Sequence, residues 1–361
     1  MKILQIIQRP QLRGAEIFAC QLSLELQKLG HDVDILILFG ENNGELQYDL
    51  NYISLGAIQN KRFWDFKAYK RLAKIIRSEG YDLVQANAGD TLKYAALSKM
   101  LYKWKAKLAF RNANKMSDFI KSKAHLWLNQ FFLNKMDFAI SVSENCRQDL
   151  IRLYPKAKAI TATGTIGTFD FSQLEVIERL SQNKVWINVG SFVKEKNHSF
   201  LMEIFAEYLK EDNGNELWLI GDGPLRNQLN EQVVNLGIEK KVRFLGYRSN
   251  AVAYIKAADI MVMPSKIEGL PGVILEALSC GKPVIASEVG GIPEVVINDQ
   301  NGYIIKAFDK AEYISKIHKV LTNQELRKKM SQNAKNLIQE EFMMPKIAER
   351  FESIYHQILQ L

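Results

Sequence analysis

Short apolar runs alternate with helical patterns along the whole chain, and this alternation constrains the fold more than any other feature. In the first half the runs lie at 3–7, 35–39, 83–86, 108–110 and 138–142. In the second half they lie at 185–189, 217–220, 242–245, 260–263, 284–286 and 303–305. Continuous apolar runs are typical of strands buried on both faces of a parallel sheet, with helices covering those faces. The sequence therefore predicts an α/β protein with two doubly wound, Rossmann-like halves.

The chain length and one poorly patterned stretch predict where these halves divide. At about 150 residues per domain, 361 residues favour two domains. Residues 161–170 lack a clear pattern, so we expect an N-terminal domain over 1–165 and a C-terminal domain over 166–342. Pro345 can begin a last helix, and we expect residues 343–361 to pack back toward the N-terminal domain. The carboxyl ends of the two sheets should face a ligand-binding cleft.

Composition and cysteine usage exclude several classes of protein. Apolar residues make up 47% and charged residues 24% of the chain, which is ordinary globular usage and excludes a disordered or fibrous protein. Cys20, Cys146 and Cys280 are too far apart for a disulfide framework or a metal-binding pair. No apolar run approaches the roughly 18 residues of a membrane-spanning helix, and the N-terminal run is too short for a signal peptide. We expect a soluble cytoplasmic protein.

The positive charge is concentrated in the first half. Residues 1–165 contain 25 Lys and Arg against 15 Asp and Glu, whereas residues 166–361 contain 23 against 25. Within 93–135, ten basic residues and several aromatic residues accompany a single acid, Asp118. Such a stretch can bind an anionic membrane surface. The alternative is a pair of helices with a solvated lysine face and a buried aromatic face. No nucleic-acid-binding signature accompanies the stretch, so we expect no nucleic acid partner.

One loop between a strand and a helix has the composition of a diphosphate site. It runs from Glu268 through Gly269, Leu270 and Pro271 to Gly272, and a helix should begin near Val273. Glycine loops before a helix expose backbone N–H groups at the positive end of the helix dipole.

Two carboxylates accompany this loop. We expect Glu268 at its rim and Glu276 on the first turn of the helix. A carboxylate accepts two hydrogen bonds and so suits vicinal hydroxyls, which suggests one glutamate for a sugar and one for a ribose. Either glutamate alone could equally be a solvated surface acid.

Three further segments combine glycine with charge after a strand. Residues 189–198 contain Gly190, Ser191 and Lys196, and Lys196 could place a point charge on a phosphate. The alternative is a solvated lysine pair. Gly221 opens a GxG sequence whose third glycine position holds Arg226, so the segment is a weak nicotinamide signal. Gly14 opens the first helix, where it permits either close approach to a ligand or a tight turn.

These segments together resemble the retaining glycosyltransferases of family 4, which have the two-domain GT-B fold. The resemblance covers essentially the whole chain, and the matching motifs are RGAE at 13–16, VGSFVKEKN at 189–197, IGDGP at 220–224, FLGY at 244–247, the run from Glu268 to Ser287 and GGIPE at 290–294. Glu268 and Glu276 have the E-x7-E spacing typical of that family. The resemblance implies a nucleotide-diphosphate sugar donor, with a UDP-sugar favoured, and no metal ion or other cofactor. It also implies a glycan or lipid-linked acceptor in cell-surface polysaccharide, lipopolysaccharide or glycolipid synthesis.

The resemblance also implies roles for individual residues. Glu268 and Lys196 would be catalytic, with Glu268 on the donor sugar hydroxyls and Lys196 on the leaving phosphate. Glu276 would bind the ribose. The remaining donor contacts would come from Gly14, Gly190, Ser191, Gly221, Gly246, Tyr247, Gly269, Leu270, Gly272 and Val273. Among these, the N–H groups of the 270–273 loop would face the diphosphate, and Gly246 and Tyr247 the nucleobase.

The sequence departs from the family pattern at several positions. Ser191 stands where members often have an arginine, so one phosphate cation is missing unless Lys194 substitutes. Arg13 replaces the first glycine of the GGxE motif. Gln85 and Asn87 stand where members often have two histidines, and Asn87 and Arg111 are our candidates for acceptor or sugar contacts.

Two other functions share the expected fold. A nonhydrolysing UDP-sugar 2-epimerase would need acid/base carboxylates and histidines in the cleft, and the histidines here are not so placed. A catalytically silent GT-B partner subunit of a membrane glycosyltransferase complex is favoured by Ser191 and Asn87, but opposed by Glu268, Lys196 and Glu276. We therefore expect a retaining, metal-independent hexosyl- or N-acetylhexosaminyltransferase, cytoplasmic and peripheral on the inner face of the membrane.

Overall fold

The chain folds into two compact units. The structure, a computed structural model, describes residues 1–61, 63–179, 182–306 and 308–361. The first unit comprises Met1–Gly167 together with Met344–Leu361, and the second comprises Thr168–Met343. The chain thus enters the second unit after Gly167 rather than after residue 165. Each unit contains one parallel sheet covered by helices, so the predicted α/β class with two Rossmann-like halves is confirmed.

The sheet of the first unit is fully parallel, with the order β3-β2-β1-β4-β5-β6-β7. Its strands are β1 (Lys2–Ile7), β2 (Asp32–Ile37), β3 (Asn51–Ser54), β4 (Leu83–Ala86), β5 (Lys107–Asn112), β6 (Phe138–Ser141) and β7 (Thr161–Thr163). β1 lies at the centre, pairing Ile3 with Val33 on one side and with Leu83 on the other. The two edge strands, β3 and β7, were not predicted from the sequence.

Helices cover both faces of this sheet. They are α1 (Gly14–Lys28), α2 (Phe66–Glu79), α3 (Gly89–Tyr102), α4 (Lys123–Leu133) and α5 (Glu144–Leu153). The largest core cluster joins α2, α3 and α4 to one face of the sheet, with Leu72, Tyr94 and Phe132 among its buried side chains. A smaller cluster joins α1 to the opposite face through Ala19 and Cys20. α2, α3 and α4 therefore lie side by side on one face.

Helix α2 is strongly amphipathic and has clear ends. The Asp65 carboxylate accepts a hydrogen bond from the Ala68 N–H group at 3.1 Å, which caps the start of the helix. Gly80 ends it in the left-handed conformation, at φ 67°. The inner side chains are buried, whereas all basic side chains of the helix are exposed; these are Lys67, Lys70, Arg71, Lys74 and Arg77. The outer face of α2 is thus a basic stripe.

The second unit also contains a fully parallel sheet, with the order β10-β9-β8-β11-β12-β13. Its strands are β8 (Lys184–Val189), β9 (Asn215–Ile220), β10 (Val242–Gly246), β11 (Ile260–Met263), β12 (Val284–Ser287) and β13 (Gly302–Ile305). Its helices are α6 (His198–Tyr208), α7 (Arg226–Asn235), α8 (Ala251–Ala257), α9 (Gly272–Ser279), α10 (Lys310–Thr322) and α11 (Gln324–Leu337). Trp186 on β8 anchors the core, with its ring 5.0 Å from Phe205 and 4.9 Å from Tyr208.

The last helix, α12 (Met344–Gln360), belongs to the first unit. It packs against α1, and the rings of Phe351 and Phe18 lie 5.6 Å apart. Gly164 allows this packing, because a Cβ there would lie 2.3 Å from Ile140 and 2.9 Å from Phe351. Among the helices of the described residues, none is both long enough and apolar enough to cross a membrane.

Candidate functional site

The strand order of the second sheet reverses between β8 and β11, and two predicted site residues meet there. Successive strands run outward from β8 to one side and from β11 to the other, and such a switch point is the usual ligand position in an open parallel sheet. Lys196 lies in the loop after β8, and Glu268 lies in the loop after β11. The Lys196 Nζ atom is 2.6 Å from Glu268 Oε1. Residues distant in sequence therefore form one site.

Backbone contacts hold the two loops together. The Lys266 N–H group donates to the Glu195 carbonyl at 2.7 Å. The Asn197 side chain donates to the Pro264 carbonyl at 3.1 Å, and Asn197 itself has a positive φ of 55°. The ion pair is unevenly buried, since the Glu268 side chain is 7% exposed and that of Lys196 is 24% exposed. Glu268 therefore depends more on its partner for stabilisation of its charge.

A second loop closes over the backbone of Glu268. Gly290 has φ +56°, and a Cβ at this position would lie 2.1 Å from the Glu268 carbonyl oxygen and 2.4 Å from that of Gly269. The Gly291 N–H group donates to the Gly269 carbonyl. The GGIPE motif thus fixes the Glu268 loop by close backbone packing, which requires glycine at position 290.

The N-terminus of α9 follows the Glu268 loop and presents free donors. Pro271 precedes the helix and provides neither a side-chain cap nor an N–H group. In the part of the chain that the structure describes, the N–H groups of Leu270, Gly272 and Val273 have no acceptor. Unpaired N–H groups at a helix N-terminus attract anions. The predicted diphosphate loop therefore has the donors that a phosphate requires.

Glu276 lies at the start of the second turn of α9 rather than on the first. It is the fifth residue of the helix, so its expected place on the first turn was wrong. The helix begins at Gly272 because Pro271 takes an extended conformation, with φ −77° and ψ 124°. The side chain is half-buried, and desolvation raises the pKa of its carboxyl to about 7. Within the described residues its carboxylate has no hydrogen-bond partner, which leaves both oxygens available to a ligand.

Three glycines line the carboxyl ends of neighbouring strands. Gly190 donates to the Ile220 carbonyl at 2.9 Å, and Gly221 donates to the Gly246 carbonyl at 2.9 Å. A Cβ on Gly221 would lie 2.1 Å from the Gly190 oxygen. A Cβ on Gly190 would lie 3.7 Å from the Lys196 side chain. Gly190 and Gly221 therefore form a flat floor beside Lys196.

The residues around this floor are more exposed. Ser191 and Lys194 face solvent. Tyr247 is 59% exposed, directly after Gly246. Arg226, which interrupts the nicotinamide-type motif, lies 4.4 Å from the ring of Phe244, two residues before Gly246. Arg226 was not among the predicted site residues, although its position shortly after the IGDGP motif places it at the same sheet edge.

In the first unit the structure separates the predicted residues into different environments. Gly14 is the first residue of α1, and a Cβ at this position would have open space around it out to 4 Å. Arg111 lies near the end of β5 and is 2% exposed. Its Nε and Nη1 atoms have no acceptor among the described residues, and its guanidinium lies 4.2 Å from the ring of Phe18. Burial lowers the pKa of Arg111 to about 10.

Asn87, a predicted acceptor or sugar contact, is part of a buried hydrogen-bond network. Its amide donates to Gln5 Oε1 at 2.9 Å and accepts from Gln85 at 3.0 Å. The Tyr355 hydroxyl on α12 donates to Gln85 at 2.8 Å and accepts from Gln5 at 3.1 Å. Asn87 is 2% exposed. Its amide therefore joins β1 and β4 within the first unit.

Two family models match consecutive parts of the chain. The model described as "Glycosyltransferase Family 4" matches residues 12–162, and the model described as "Glycosyl transferases group 1" matches residues 172–337. The chain belongs to the family 4 glycosyltransferases. The predicted family is thereby confirmed, with the group 1 region containing Lys196, Glu268 and Glu276.

Individual relatives of this family 4 glycosyltransferase agree with that assignment. The N-acetyl-alpha-D-glucosaminyl L-malate synthase of Bacillus anthracis is 33% identical over 192 residues, which cover 53% of this chain and 50% of that protein. The chain thus spans about half the length of this relative. The UDP-Gal:alpha-D-GlcNAc-diphosphoundecaprenol alpha-1,3-galactosyltransferase of Escherichia coli is 26% identical over 322 residues, covering 81% and 79% of the two chains.

A solved structure shows the same fold. Anabaena Alr3699/HepE in complex with UDP-glucose is 20% identical and superposes with a TM-score of 0.86, covering 100% of both chains. At this identity the likeness concerns the fold, and it identifies the two α/β units as those of the GT-B class.

Proposed function

We propose that this protein is a retaining glycosyltransferase that transfers a sugar from a UDP-sugar to a glycan or lipid-linked acceptor in cell-surface polysaccharide or glycolipid synthesis. The observation that carries the proposal is the Lys196–Glu268 pair at the switch point of the second sheet, next to the free N–H groups of α9. The names of two similar proteins support the donor class, since one transfers galactose from UDP-Gal and another was solved with UDP-glucose.

The donor diphosphate would bind to the N-terminus of α9. The N–H groups of Leu270, Gly272 and Val273 would donate to its oxygens, and Lys196 would supply a mobile positive charge. Gly190 and Gly221 would let the nucleotide approach the sheet edge closely, with Gly246 and Tyr247 beside the base. We propose that these groups make the site metal-independent, because they supply the charge that a divalent cation would otherwise provide.

Glu268 and Lys196 would separate as the donor binds. Sugar hydroxyls would donate to the Glu268 carboxylate and replace the ammonium of Lys196, which would then turn toward the phosphate. The acceptor hydroxyl would attack the anomeric carbon on the face that the diphosphate leaves, and a diphosphate oxygen would take the hydroxyl proton. Lys196 and the α9 N–H groups would stabilise the charge that grows on the diphosphate in the transition state.

The acceptor would be bound by the first unit. Arg111 supports this proposal because its buried guanidinium keeps two nitrogens without an acceptor in the described residues, and a hydroxyl, carboxylate or phosphate would satisfy them. Gly14, at the start of α1, remains our proposed contact to the donor phosphate. We also propose that the protein works at the inner face of the cytoplasmic membrane.

The test combines donor choice with catalysis. Thermal unfolding with UDP-, GDP- and ADP-sugars should show stabilisation by one nucleotide class, which we expect to be UDP. Release of free UDP without acceptor would then distinguish a transferase from a silent partner subunit. Nuclear magnetic resonance of the product should show the same anomeric configuration as in the donor. Accumulation of a 2-epimerised UDP-sugar would instead support the epimerase alternative.

A further inference from the structure

The first unit exposes large aromatic side chains at one edge of its sheet. Trp64 is 74% exposed, Trp127 is 70% exposed and Phe66 is 52% exposed. Trp64 and Phe66 lie at the start of α2, and Trp127 lies in the first half of α4. α2 is the first α-helix after the parallel strand β3, and α4 is the first after β5. Both therefore start on the carboxyl side of the sheet, and the three side chains lie toward that edge.

A series of aromatic ring contacts connects α4 with the segment just before α2. Trp127 stacks on Phe131 at 6.4 Å, Phe131 contacts Phe132 at 5.3 Å, and Phe132 stacks on Phe63 at 6.3 Å. Phe63 immediately precedes Trp64. These contacts bring α4 next to the residue that precedes Trp64, so the exposed Trp64 and Trp127 lie on neighbouring parts of the first unit.

Lysines surround these aromatic residues. Lys67 and Lys70 extend from the outer side of α2, and Lys123 begins α4; all three are exposed. No ion pair involving them occurs in the described ranges, with the gaps at 62, 180, 181 and 307. The only acid within α2, Glu79, lies at the far end of the helix and binds Lys2 at 3.2 Å. The face is therefore positive as well as aromatic.

We infer that this aromatic-basic face, formed by Trp64, Phe66, Trp127, Lys67, Lys70 and Lys123, docks the protein on an anionic phospholipid bilayer. Lysines at such a surface attract anionic headgroups, while tryptophan and phenylalanine insert at the headgroup level. Charge complementarity favours this occupant, because a second copy of the chain would oppose lysine to lysine. Only the purpose of the docking, delivery of a lipid-linked acceptor, rests on the proposed function.

This face differs from the one expected from residues 93–135. Half of the aromatic residues in that segment are buried in the core, namely Tyr94, Trp104, Phe110 and Phe132. Lys103 and Lys105 follow α3 and precede β5, so they lie at the amino edge, opposite Trp127. Only the part around α4 contributes to the face. Its other half, around α2, lies outside the segment.

The face also lies where a lipid-linked acceptor would be useful. Arg111 is near the carboxyl end of β5 and Gly14 follows the carboxyl end of β1. Both therefore lie at the same edge of the first sheet as Trp64 and Trp127. A bilayer bound at this edge would hold the acceptor headgroup within reach of the residues that we propose to contact it.

Binding to vesicles tests the inference directly. We expect cosedimentation with phosphatidylglycerol-containing vesicles at low salt, little with pure phosphatidylcholine, and loss at high salt. Each lysine at an anionic surface contributes about fivefold to partitioning, so a combined Lys67→Gln, Lys70→Gln, Lys123→Gln variant should bind about 100-fold more weakly. The matched control replaces the exposed Lys240, Lys328 and Lys329 of the second unit by glutamine, and it should bind like the wild type.

Tryptophan fluorescence identifies the inserted side chains. Trp104, Trp186 and Trp218 are buried, so quenching by brominated lipids reports mainly on Trp64 and Trp127. A Trp64→Ser, Trp127→Ser variant should lose this quenching, whereas Val234→Ser, at an exposed position of α7, should retain it.

Other outcomes would overturn the inference. One is that the wild type does not bind vesicles at low salt, and another is that the control lysine variant binds vesicles as weakly as the test variant. A third is a dimer in light scattering that Trp64→Ser dissociates, because a second copy of the chain would then cover the face. UDP release is measured separately, without vesicles, and the lysine variant should retain it. A wild type that binds vesicles but turns over no donor would refute the proposed function and leave the docking inference intact.

Discussion

Replacing Glu276 by glutamine should make the protein more stable and at the same time impair nucleotide binding. The pKa of this carboxyl rises from 4.5 to about 7 because its surroundings desolvate the charged form. At about 1.4 kcal/mol per pH unit, ionised Glu276 destabilises the fold by about 3 kcal/mol at most, and by about 1–3 kcal/mol after allowance for its partial exposure. Glutamine has almost the same shape and is never ionised.

The direction of the pH dependence follows from the raised pKa. Below about pH 4.5 the carboxyl is protonated in both the folded and the unfolded state, so Glu276 costs nothing. Between pH 4.5 and about 7 the unfolded chain ionises first, and the wild type loses stability as the pH rises. Above pH 7 the penalty is constant. Glu276→Gln should therefore match the wild type at pH 4.5 and exceed its stability at pH 8.

Denaturant unfolding at pH 4.5 and pH 8 measures this difference, with the exposed Glu288→Gln as the control. Calorimetry with a UDP-sugar at pH 8 should show binding weakened by about 1–3 kcal/mol, since ribose hydroxyls would lose a charged acceptor. In the wild type, affinity should increase as the pH rises toward 7 and then level off. A variant that is less stable than the wild type at pH 8, or that binds the donor unchanged, would refute the assignment of Glu276 as an unpartnered ribose ligand.

Three further predictions concern the rest of the proposed site. Lys196→Ala should lower kcat more than it raises KM, since the interaction of Lys196 strengthens as charge grows on the leaving phosphate. Steady-state kinetics of the wild type with and without EDTA should also show no metal requirement. Gly290→Ala should destabilise the protein by more than about 2 kcal/mol because its Cβ would meet the Glu268 carbonyl at 2.1 Å. The control Gly237→Ala has a similar φ and open space around the Cβ, so it should cost only about 1 kcal/mol. Equal unfolding midpoints of the two variants would contradict the packing argument. Arg111→Lys should raise KM for the acceptor and leave donor hydrolysis unchanged, and a parallel loss of both rates would show that Arg111 acts only in folding.

The strands of the two sheets could be predicted wherever they are buried on both faces. β1, β4, β8 and β11 are largely apolar because helices cover both of their sides. β3 escaped prediction because it is an edge strand of four residues with exposed ends, and its sequence NYIS contains only one aliphatic residue. Such short edge strands form because a neighbouring strand offers its hydrogen bonds, and that information is not local in the sequence.

The candidate site could be predicted as separate motifs but not as an arrangement. The positions of Lys196 and Glu268 after apolar runs placed each of them at a carboxyl sheet edge. Their contact depends on β8 and β11 being neighbours, which is a property of the strand order. The buried network around Asn87 depends in the same way on Tyr355, which approaches from the other end of the chain.

The composition of residues 93–135 could not separate core from surface. Trp104 is buried between two exposed lysines, Lys103 and Lys105, because the chain there turns from α3 into β5 and adjacent side chains point in opposite directions. Trp127, on the outer side of α4, has a similar local composition and is exposed. Whether an aromatic residue of this segment is buried therefore depends on which way its side chain points relative to the helices and strands around it.

In the proposed function, the charges of the site would couple recognition of the sugar to recognition of the diphosphate. Ser191 supplies no cation, and the charge of Lys196 is balanced by Glu268 at 2.6 Å. This pair therefore offers a diphosphate no net positive charge at rest, and the α9 N–H groups would have to bind it first. Lys196 would become available to the phosphate only when another hydrogen-bond donor satisfies Glu268, and the hydroxyls of the transferred sugar would suit that role. Binding of an intact nucleotide sugar would thus free Lys196 from Glu268. Lys196 could then stabilise the diphosphate as it leaves the sugar.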